Sequence, residues 1–246
     1  AGLNSIHPTF VQEMLSDSRF DLEDIYNNLV SLSTVGGRKF SKELIDLGIN
    51  YYKKINKGDW DPSKVTQNKN ILIIGPGNSI NKYKKKIIKF IQKNKPIVLV
   101  LNAINQIPKK YVYANIVCHP LRLLSDIDKY KKSNKYLITP FSSFSKNIKS
   151  RINSKKILNF GLQVKNRKFR FEKNFVVLPN SLAFTYTLGI CTSGKCKKIF
   201  LAGLDGYSKT SPKKFEMDEV LQNYKTENQA RKIVSLTPTN YRIRTI

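Results

Sequence analysis

Residues 70–80 read Asn-Ile-Leu-Ile-Ile-Gly-Pro-Gly-Asn-Ser-Ile. The four consecutive aliphatic residues at Ile71–Ile74 are typical of a strand that is buried on both faces, as in a parallel sheet. Gly75 and Gly77 let the backbone turn tightly and let a ligand approach it, because neither residue carries a Cβ atom. The stretch therefore predicts a parallel sheet whose first strand ends in a glycine turn.

The residues after this turn predict a helix with an anion site at its start. Asn78 or Ser79 is expected to cap the helix, because a short side-chain oxygen accepts a free N–H of the first turn. Backbone N–H groups at the start of a helix face an anion, and a tight turn without a ligand is the alternative interpretation. The candidate nucleotide- or phosphate-binding residues here are Gly75, Gly77, Asn78 and Ser79.

The pattern does not favour a dinucleotide. The third glycine of a Gly-x-Gly-x-x-Gly motif is replaced by Ile80, and the second predicted strand, Ile97–Leu101, runs into Asn102. A dinucleotide site would be expected to carry a ribose-binding Asp or Glu there. Asn102 instead joins the candidate nucleotide-binding residues.

Composition and charge bound the class of protein. The chain has 246 residues, of which 40% are hydrophobic and 25% charged, as in ordinary globular proteins. No apolar run reaches the roughly 20 residues of a membrane helix, and residues 1–5 show no signal peptide. We therefore expect a cytoplasmic protein without a membrane span, and leave open how much sequence precedes Ala1.

The net charge of +27 is unevenly distributed. Residues 1–68 hold 8 Lys and Arg against 9 Asp and Glu, whereas the remainder holds 36 against 8. The lysines are scattered over helix faces, and no zinc finger, basic heptad or ribonucleoprotein motif accompanies them. We therefore expect a small anionic ligand, such as a nucleotide, phosphate or sugar acid, rather than nucleic acid.

Metal binding is not predicted for this chain. The three cysteines, Cys118, Cys191 and Cys196, are too few for a disulfide framework, and no converging set of three or four ligands accompanies them. We expect these three cysteines to be buried free thiols. His7 stands alone and is expected to be hydrogen-bonded at a helix start.

The chain divides into three parts. Residues 1–57 show helical periodicity, residues 58–69 form a linker with Gly58 and Pro62, and residues 70–246 alternate strand and helix signals. Trp60 is expected to anchor the linker on a domain surface. The alternation predicts an α/β fold with a mostly parallel sheet and helices on both faces, preceded by a small helical segment.

The same periodicity predicts the following strands and helices from residue 70 onward. The strands are Ile71–Ile74, Ile97–Leu101, Val112–Cys118, Tyr136–Ile138, Ile157–Phe160, Phe175–Leu178, Lys198–Leu201 and Ile233–Leu236. The helices are Asn78–Lys93, Leu121–Lys132, Ser142–Ile152, Ser181–Leu188 (extending to Cys191) and Lys214–Thr226.

The first part of the chain resembles a known enzyme family. Residues 4–12 (Asn-Ser-Ile-His-Pro-Thr-Phe-Val-Gln) and 35–40 (Val-Gly-Gly-Arg-Lys-Phe) are similar to the helices after the barrel of pyruvate-carboxyltransferase (HMG-CoA lyase-like) aldolases. The resemblance covers residues 1–55. It implies that the catalytic barrel and its divalent metal lie outside this chain, with a possible homo-oligomer formed through the aldolase part.

A second resemblance covers residues 70–210. The glycine turn, Asn102, the helix that begins at Ser181 and the segment Gly203-Leu204-Asp205-Gly206-Tyr207 are similar in order to bacterial sialyltransferases that use CMP-sialic acid. This resemblance implies a Rossmann-like fold with a CMP-type nucleotide. It also implies that Asn78, Ser79, Asn102, Ser181 and Tyr207 contact the nucleotide and its phosphate.

The catalytic residues stay open at this stage. The sialyltransferase family has a general-base histidine late in the domain, whereas this chain has none after His119. His119 and Asp205 are the candidate bases, although either residue also suits a purely structural role. The function expected from the sequence is the carboxyl-terminal part of an aldolase-like enzyme of keto-acid or surface-sugar metabolism, carrying a module that binds a nucleotide or phosphorylated sugar acid, because both resemblances can then hold together. The alternatives are a glycosyltransferase that uses a CMP-sugar and a non-catalytic basic binding module.

Overall fold

The structure is a computed structural model. It describes residues 52–103, 106–119, 122–123, 126–144, 146–150, 152, 156–165, 167–208 and 212–246. The aldolase-like motifs at residues 4–12 and 35–40, and His7, lie outside the described residues.

The described chain alternates strands and helices. The strands are β1 Asn70–Ile74, β2 Ile97–Leu101, β3 Ala114–Ile116, β4 Tyr136–Thr139, β5 Ile157–Asn159, β6 Gly161–Val164, β7 Arg170–Phe171, β8 Phe175–Leu178, β9 Lys198–Ala202 and β10 Ile233–Ser235. The helices are α1 Ser63–Thr66, α2 Ser79–Asn94, α3 Ile127–Lys131, α4 Lys146–Ser150, α5 Ala183–Ser193 and α6 Pro212–Thr226. Short 3-10 helices lie at Lys109–Tyr111 and Phe141–Ser143.

Seven strands form a parallel sheet in the order β10-β9-β1-β2-β3-β4-β5. The chain builds outward from β1 to β5 and then returns to the other side of β1 to add β9 and β10. The strand order therefore reverses between β1 and β9, and ligands of such sheets bind beyond the carboxyl ends of the strands near this reversal. The fold is α/β and Rossmann-like, as the alternating pattern predicts.

The sheet is buried on both faces, which explains the continuous aliphatic runs. Ile71 and Ile73 of β1 pack on the face covered by α5 and α6, whereas Leu72 and Ile74 pack on the face covered by α2. Helix α2 buries Ile80, Ile87 and Ile91 and leaves its lysines in solvent. Helix α2 starts after the carboxyl end of β1, and the residues before α5 contact Cys118 after the carboxyl end of β3. Both helices therefore start at the same edge of the sheet.

A second, three-stranded sheet in the order β6-β8-β7 was not expected from the sequence. Strand β8 was predicted within residues 175–178, but it pairs with β6 in parallel and with β7 in antiparallel register rather than joining the main sheet. Periodicity identifies a strand but not its partner, and β7 is only two residues long.

Three predicted boundaries differ from the structure. The third strand is shorter than residues 112–118, because the 3-10 turn before it takes up Val112, whose N–H donates to the Lys109 carbonyl. The helix expected over residues 142–152 is a 3-10 turn followed by α4. Helix α5 begins at Ala183, two residues after Ser181, and continues to Ser193.

Residues 52–69 pack against the domain. Tyr52 is fully buried, its hydroxyl donates to the Cys118 carbonyl, and its own carbonyl accepts from the Val164 N–H at 3.1 Å. Trp60 packs against the core and makes an edge contact with Phe160 at 6.3 Å between ring centroids, which confirms its expected role as an anchor.

Candidate functional site

The glycine turn after β1 packs against the loop after β9. The Gly75 N–H donates to the Ala202 carbonyl at 2.8 Å, and the Gly77 N–H donates to the Gly203 carbonyl at 2.7 Å. A Cβ atom on Gly75 would lie 2.5 Å from the Gly203 carbonyl oxygen. The absence of a side chain at Gly75 therefore serves the close approach of two backbones at the strand reversal.

The Asp205 carboxylate occupies the position where the start of α2 would bind an anion. The Ser79 N–H donates to Asp205 Oδ2 at 2.9 Å, and the Ser79 hydroxyl donates to Asp205 Oδ1. A Cβ atom on Gly77 would lie 2.5–2.6 Å from the carboxylate atoms of Asp205. Since carboxylates and phosphates are stabilised alike at helix N-termini, a phosphate at this turn would have to displace Asp205.

The cap of α2 differs from the predicted one. Asn78 has helical φ and ψ angles of −65° and −20° and makes no side-chain capping bond. Ser79 donates its hydroxyl proton rather than accepting a helix N–H. The local prediction that Asn78 or Ser79 caps the helix is wrong, because the capping oxygen comes from Asp205, 126 residues further along the chain.

Asn102 lies at the carboxyl end of β2, beside the glycine turn. Its φ of +57° is the left-handed conformation that asparagine tolerates better than most residues. The Asn102 N–H donates to the Ile116 carbonyl, and its carbonyl accepts from Asn115 Nδ2 at 2.8 Å. Gln106 Nε2, from the same loop, donates to the Pro76 carbonyl at 3.3 Å. The loops after β1 and β2 therefore adjoin at the sheet edge.

The start of α5 lies against the end of β3. Asn180 Oδ1 accepts the Leu182 N–H at 3.3 Å, and Asn180 Nδ2 donates to Glu216 Oε1 at 3.0 Å. The Ser181 carbonyl accepts from the Cys118 thiol at 2.9 Å. Asn180 and Ser181 are both buried, at 4% and 6% exposure. The α5 N-terminus therefore meets the strand end that carries His119.

His119 is a neutral imidazole at this position. Burial, and secondly the Arg122 guanidinium nearby, lower the pKa of His119 from 6.5 to about 4. Both causes penalise the imidazolium form. At neutral pH His119 is therefore unprotonated, as a general base must be before it accepts a proton, but its lowered pKa makes it a weaker base than a free imidazole.

Tyr207, from the loop after β9, reaches the same region. Its side chain is 43% exposed. Burial raises the pKa of Tyr207, the Glu216 carboxylate raises it further, and Arg122 opposes both. Arg122 acts electrostatically on His119 and on Tyr207, so the β3 end, the loop after β9 and helix α6 meet at one place.

The predicted site residues thus fall into two groups. Gly75, Gly77, Asn78, Ser79, Asn102 and Asp205 surround the start of α2, and His119, Ser181 and Tyr207 surround the start of α5. The sequence pattern did not single out two further participants, Arg122 and Glu216. The available signals were an arginine three residues after His119 in a lysine-rich chain and the acidic group Glu216, Asp218 and Glu219 in a part of the chain that otherwise holds few acids.

The described residues hold neither a metal-binding cluster nor a membrane-spanning helix. There, no three His, Cys, Asp or Glu side chains come close enough together to hold a metal ion. Cys118, Cys191 and Cys196 are buried free thiols. In the described part of the chain, no helix has both the length and the apolar character needed to cross a membrane.

Comparisons with known proteins yield a likeness in fold. No family model matches the sequence, and no curated protein sequence matches it. The structure is similar to that of the MAf glycosyltransferase from Magnetospirillum magneticum AMB-1, with a TM-score of 0.52 and 9% sequence identity. The match covers 91% of this chain, which spans 40% of the length of that protein.

Proposed function

We propose that residues 70–246 form a glycosyltransferase domain that uses a nucleotide-activated sugar. The observation that carries this proposal is the neutral His119 beside Arg122, at the carboxyl edge of the sheet and next to the start of α5. The structural similarity to a glycosyltransferase supports the same function. The sialyltransferase resemblance makes CMP-sugars the first donors to test.

In the proposed reaction, Arg122 and the first turn of α5 attract the phosphate of the donor. His119 accepts the proton of an acceptor hydroxyl, whose oxygen forms a bond to the anomeric carbon of the donor sugar. The bond from that carbon to the nucleotide phosphate breaks, and its electron pair leaves with the phosphate oxygen. A bound phosphate near His119 would raise the pKa of the imidazole from about 4 toward the working pH, because a nearby anion favours imidazolium.

The predicted nucleotide-binding residues receive separate roles in this proposal. Asn78 and Asn102 offer polar side chains to the nucleoside at the β1–β2 end of the edge. Ser181 and Tyr207 are assigned to the phosphate, because they surround the α5 start. Gly75, Gly77, Ser79 and Asp205 hold the two adjoining loops together, and Asp205 is assigned no proton transfer because its carboxylate is engaged by Ser79.

The aldolase hypothesis receives less support. The motifs on which it rests lie outside the described residues, and the glycosyltransferase neighbour favours sugar transfer. A non-catalytic binding module is the remaining alternative, and turnover distinguishes it from an enzyme.

The test uses the full chain with CMP-, UDP- and GDP-sugars. Release of free nucleotide would be followed with and without acceptor sugars, and thermal shifts would be measured with CMP, CDP, UDP and NAD. A nucleotide at a hundred times its Kd should add about 2.7 kcal/mol of stability. Nucleotide stabilisation without turnover would leave a binding module, and no response to any nucleotide would overturn the proposal.

A further inference from the structure

A shallow cleft lies beside the proposed nucleotide region. It is bounded by Pro179 and Asn180 at the end of β8 and by the side chains of Glu216, Glu219 and Asn223 on α6, with Arg167 at its rim. Its volume is about 100 Å³. Ligand pockets for drug-sized molecules hold roughly 300–1,000 Å³, so the cleft suits the edge of one monosaccharide ring rather than a whole nucleotide.

The lining of the cleft is acidic in a strongly basic chain. Only 8 of the residues after position 68 are Asp or Glu, yet Glu216 and Glu219 both face this cleft. Arg167 offsets part of that charge, because its Nε lies 3.7 Å from Glu219 Oε1. The remaining negative charge repels the phosphates of a nucleotide. A neutral ligand that donates hydrogen bonds is favoured, because carboxylates are acceptors only.

The cleft is built partly from a buried polar group. Asn180 is 4% exposed, and its amide donates to Glu216 Oε1 at 3.0 Å, which holds the Glu216 carboxylate at the wall of the cleft. Carboxylate and carboxamide oxygens at fixed positions are suited to adjacent hydroxyl groups, since charge-assisted hydrogen bonds are short and strong.

The cleft adjoins the proposed reaction centre. Asn180 immediately precedes Ser181, whose carbonyl accepts from Cys118, the neighbour of His119. Glu216 also acts electrostatically on Tyr207. A sugar in the cleft would therefore contact Asn180, three residues before the start of α5 at Ala183.

From this geometry we propose that the cleft binds the acceptor sugar, a neutral polyhydroxylated ring whose hydroxyls donate to Glu216, Glu219 and the Asn223 carboxamide. This inference rests on the proposed glycosyltransferase function and assigns the second substrate to a site of its own. The anionic donor and the neutral acceptor are then separated by charge.

The experiment has a binding arm that needs no donor. Methyl pyranosides of the gluco, galacto and manno configurations would be titrated into isotope-labelled full-length protein, and backbone amide shifts followed by NMR. We expect shifts at Asn180, Glu216 and Asn223 with at least one pyranoside, and none at Gly75–Ser79. Glu219→Gln and Asn223→Ala should each weaken binding about tenfold, as the loss of one hydrogen bond to a charged group or carboxamide does.

A matched control comes from the same helix. Asp218 is hydrogen-bonded to Lys214 and does not line the cleft, so Asp218→Asn should leave pyranoside binding unchanged. In the kinetic arm, Glu219→Gln should raise KM for the acceptor, whereas Asp218→Asn should leave that KM unchanged.

The outcomes separate the two proposals. Pyranoside binding at the cleft without any response to nucleotides would defeat the glycosyltransferase proposal and retain a sugar site. Donor turnover in which Glu219→Gln and Asn223→Ala leave the acceptor KM unchanged would overturn the acceptor assignment alone. Shifts confined to other parts of the molecule, or absent with every pyranoside, would also overturn it.

Discussion

The two helices that start at the carboxyl edge of the sheet satisfy their N-termini differently. Helix α2 receives a full negative charge, because the Asp205 carboxylate accepts from the Ser79 N–H and hydroxyl. At helix α5 the N-cap residue Leu182 makes no side-chain capping bond, and its N–H donates to the neutral Asn180 Oδ1. In the described part of the chain, the first turn of α2 therefore bonds directly to a carboxylate, whereas the N–H before α5 bonds to an amide oxygen.

This difference indicates where an external anion is favoured. At α2 a phosphate competes with a carboxylate that accepts from the first turn, whereas near α5 the Glu216 carboxylate bonds to the Asn180 amide rather than to the Leu182 N–H. A glycine turn after the first strand is therefore insufficient to locate a phosphate site. The residue that approaches the turn from the other side of the strand reversal decides whether the position is open.

The largest expected effect is on turnover at the α5 side. His119→Asn should lower kcat about 10²–10⁴-fold, the range for loss of a general base, while nucleotide-induced thermal stabilisation persists. Since neutral His119 is required, wild-type kcat/KM should fall as the pH drops through about 4. Equal turnover by His119→Asn and wild type would contradict the assignment of the general base to His119 beside the start of α5.

The pH dependence of stability should report His119 as well. The unfolded chain binds one more proton than the folded chain between pH 6.5 and about 4, because the pKa of His119 is lowered on folding. Stability should therefore decrease as pH falls through this window, by at most about 3 kcal/mol. Urea unfolding of wild type and His119→Asn from pH 7 to 4 would measure the difference, and parallel curves would contradict it.

On the α2 side the expected effect is structural. Asp205→Ala should destabilise the fold by about 2 kcal/mol, through loss of a helix cap and a charged acceptor. Gly77→Ala should also destabilise, because its Cβ would lie 2.5–2.6 Å from the Asp205 carboxylate. The two losses should be less than additive in the double variant, since removal of the carboxylate removes the clash.

Inorganic phosphate offers a sharper form of that experiment. It should stabilise Asp205→Ala more than wild type, because the vacated helix start becomes available to an anion. Equal stabilisation of both proteins by phosphate would mean that Asp205 does not hold the anion position.

The smallest expected effect compares two asparagines. Asn180→Ala should cost about 1 kcal/mol, because its bonds to the Leu182 N–H and to Glu216 are lost. Asn78→Ala is the matched control at α2 and should cost well under that, since Asn78 makes no capping bond. Chemical unfolding of both variants measures the difference, and equal costs would contradict the structural role given to Asn180.

The sequence indicated the sheet well because its strands are buried on both faces. Ile97–Leu101 coincides with β2, and Phe175–Leu178 coincides with β8. The pairing partners of the strands could not be predicted from the sequence, and β8 in fact belongs to the small sheet. Strands β6 and β7 could not be predicted at all, because they carry no periodic signal of their own. Local patterns record burial, whereas pairing depends on residues that are distant in the chain.

The candidate site shows the same division. His119, Ser181 and Tyr207 could be proposed because each follows a strand or precedes a helix. Arg122 and Glu216 could not, because their roles depend on electrostatic proximity across the fold. The cap of α2 could not be predicted either, since local rules placed it at Asn78 or Ser79 rather than at Asp205.

Tyr52 has a practical consequence for anyone who wishes to produce this domain alone. Its fully buried ring fills the interior, and its hydroxyl holds the carbonyl next to His119. A shortened protein that starts at Gly58 would lose both, so it should be less stable than one that starts before Tyr52. Tyr52 thereby ties the chain before Gly58 to the end of the strand that bears the proposed base.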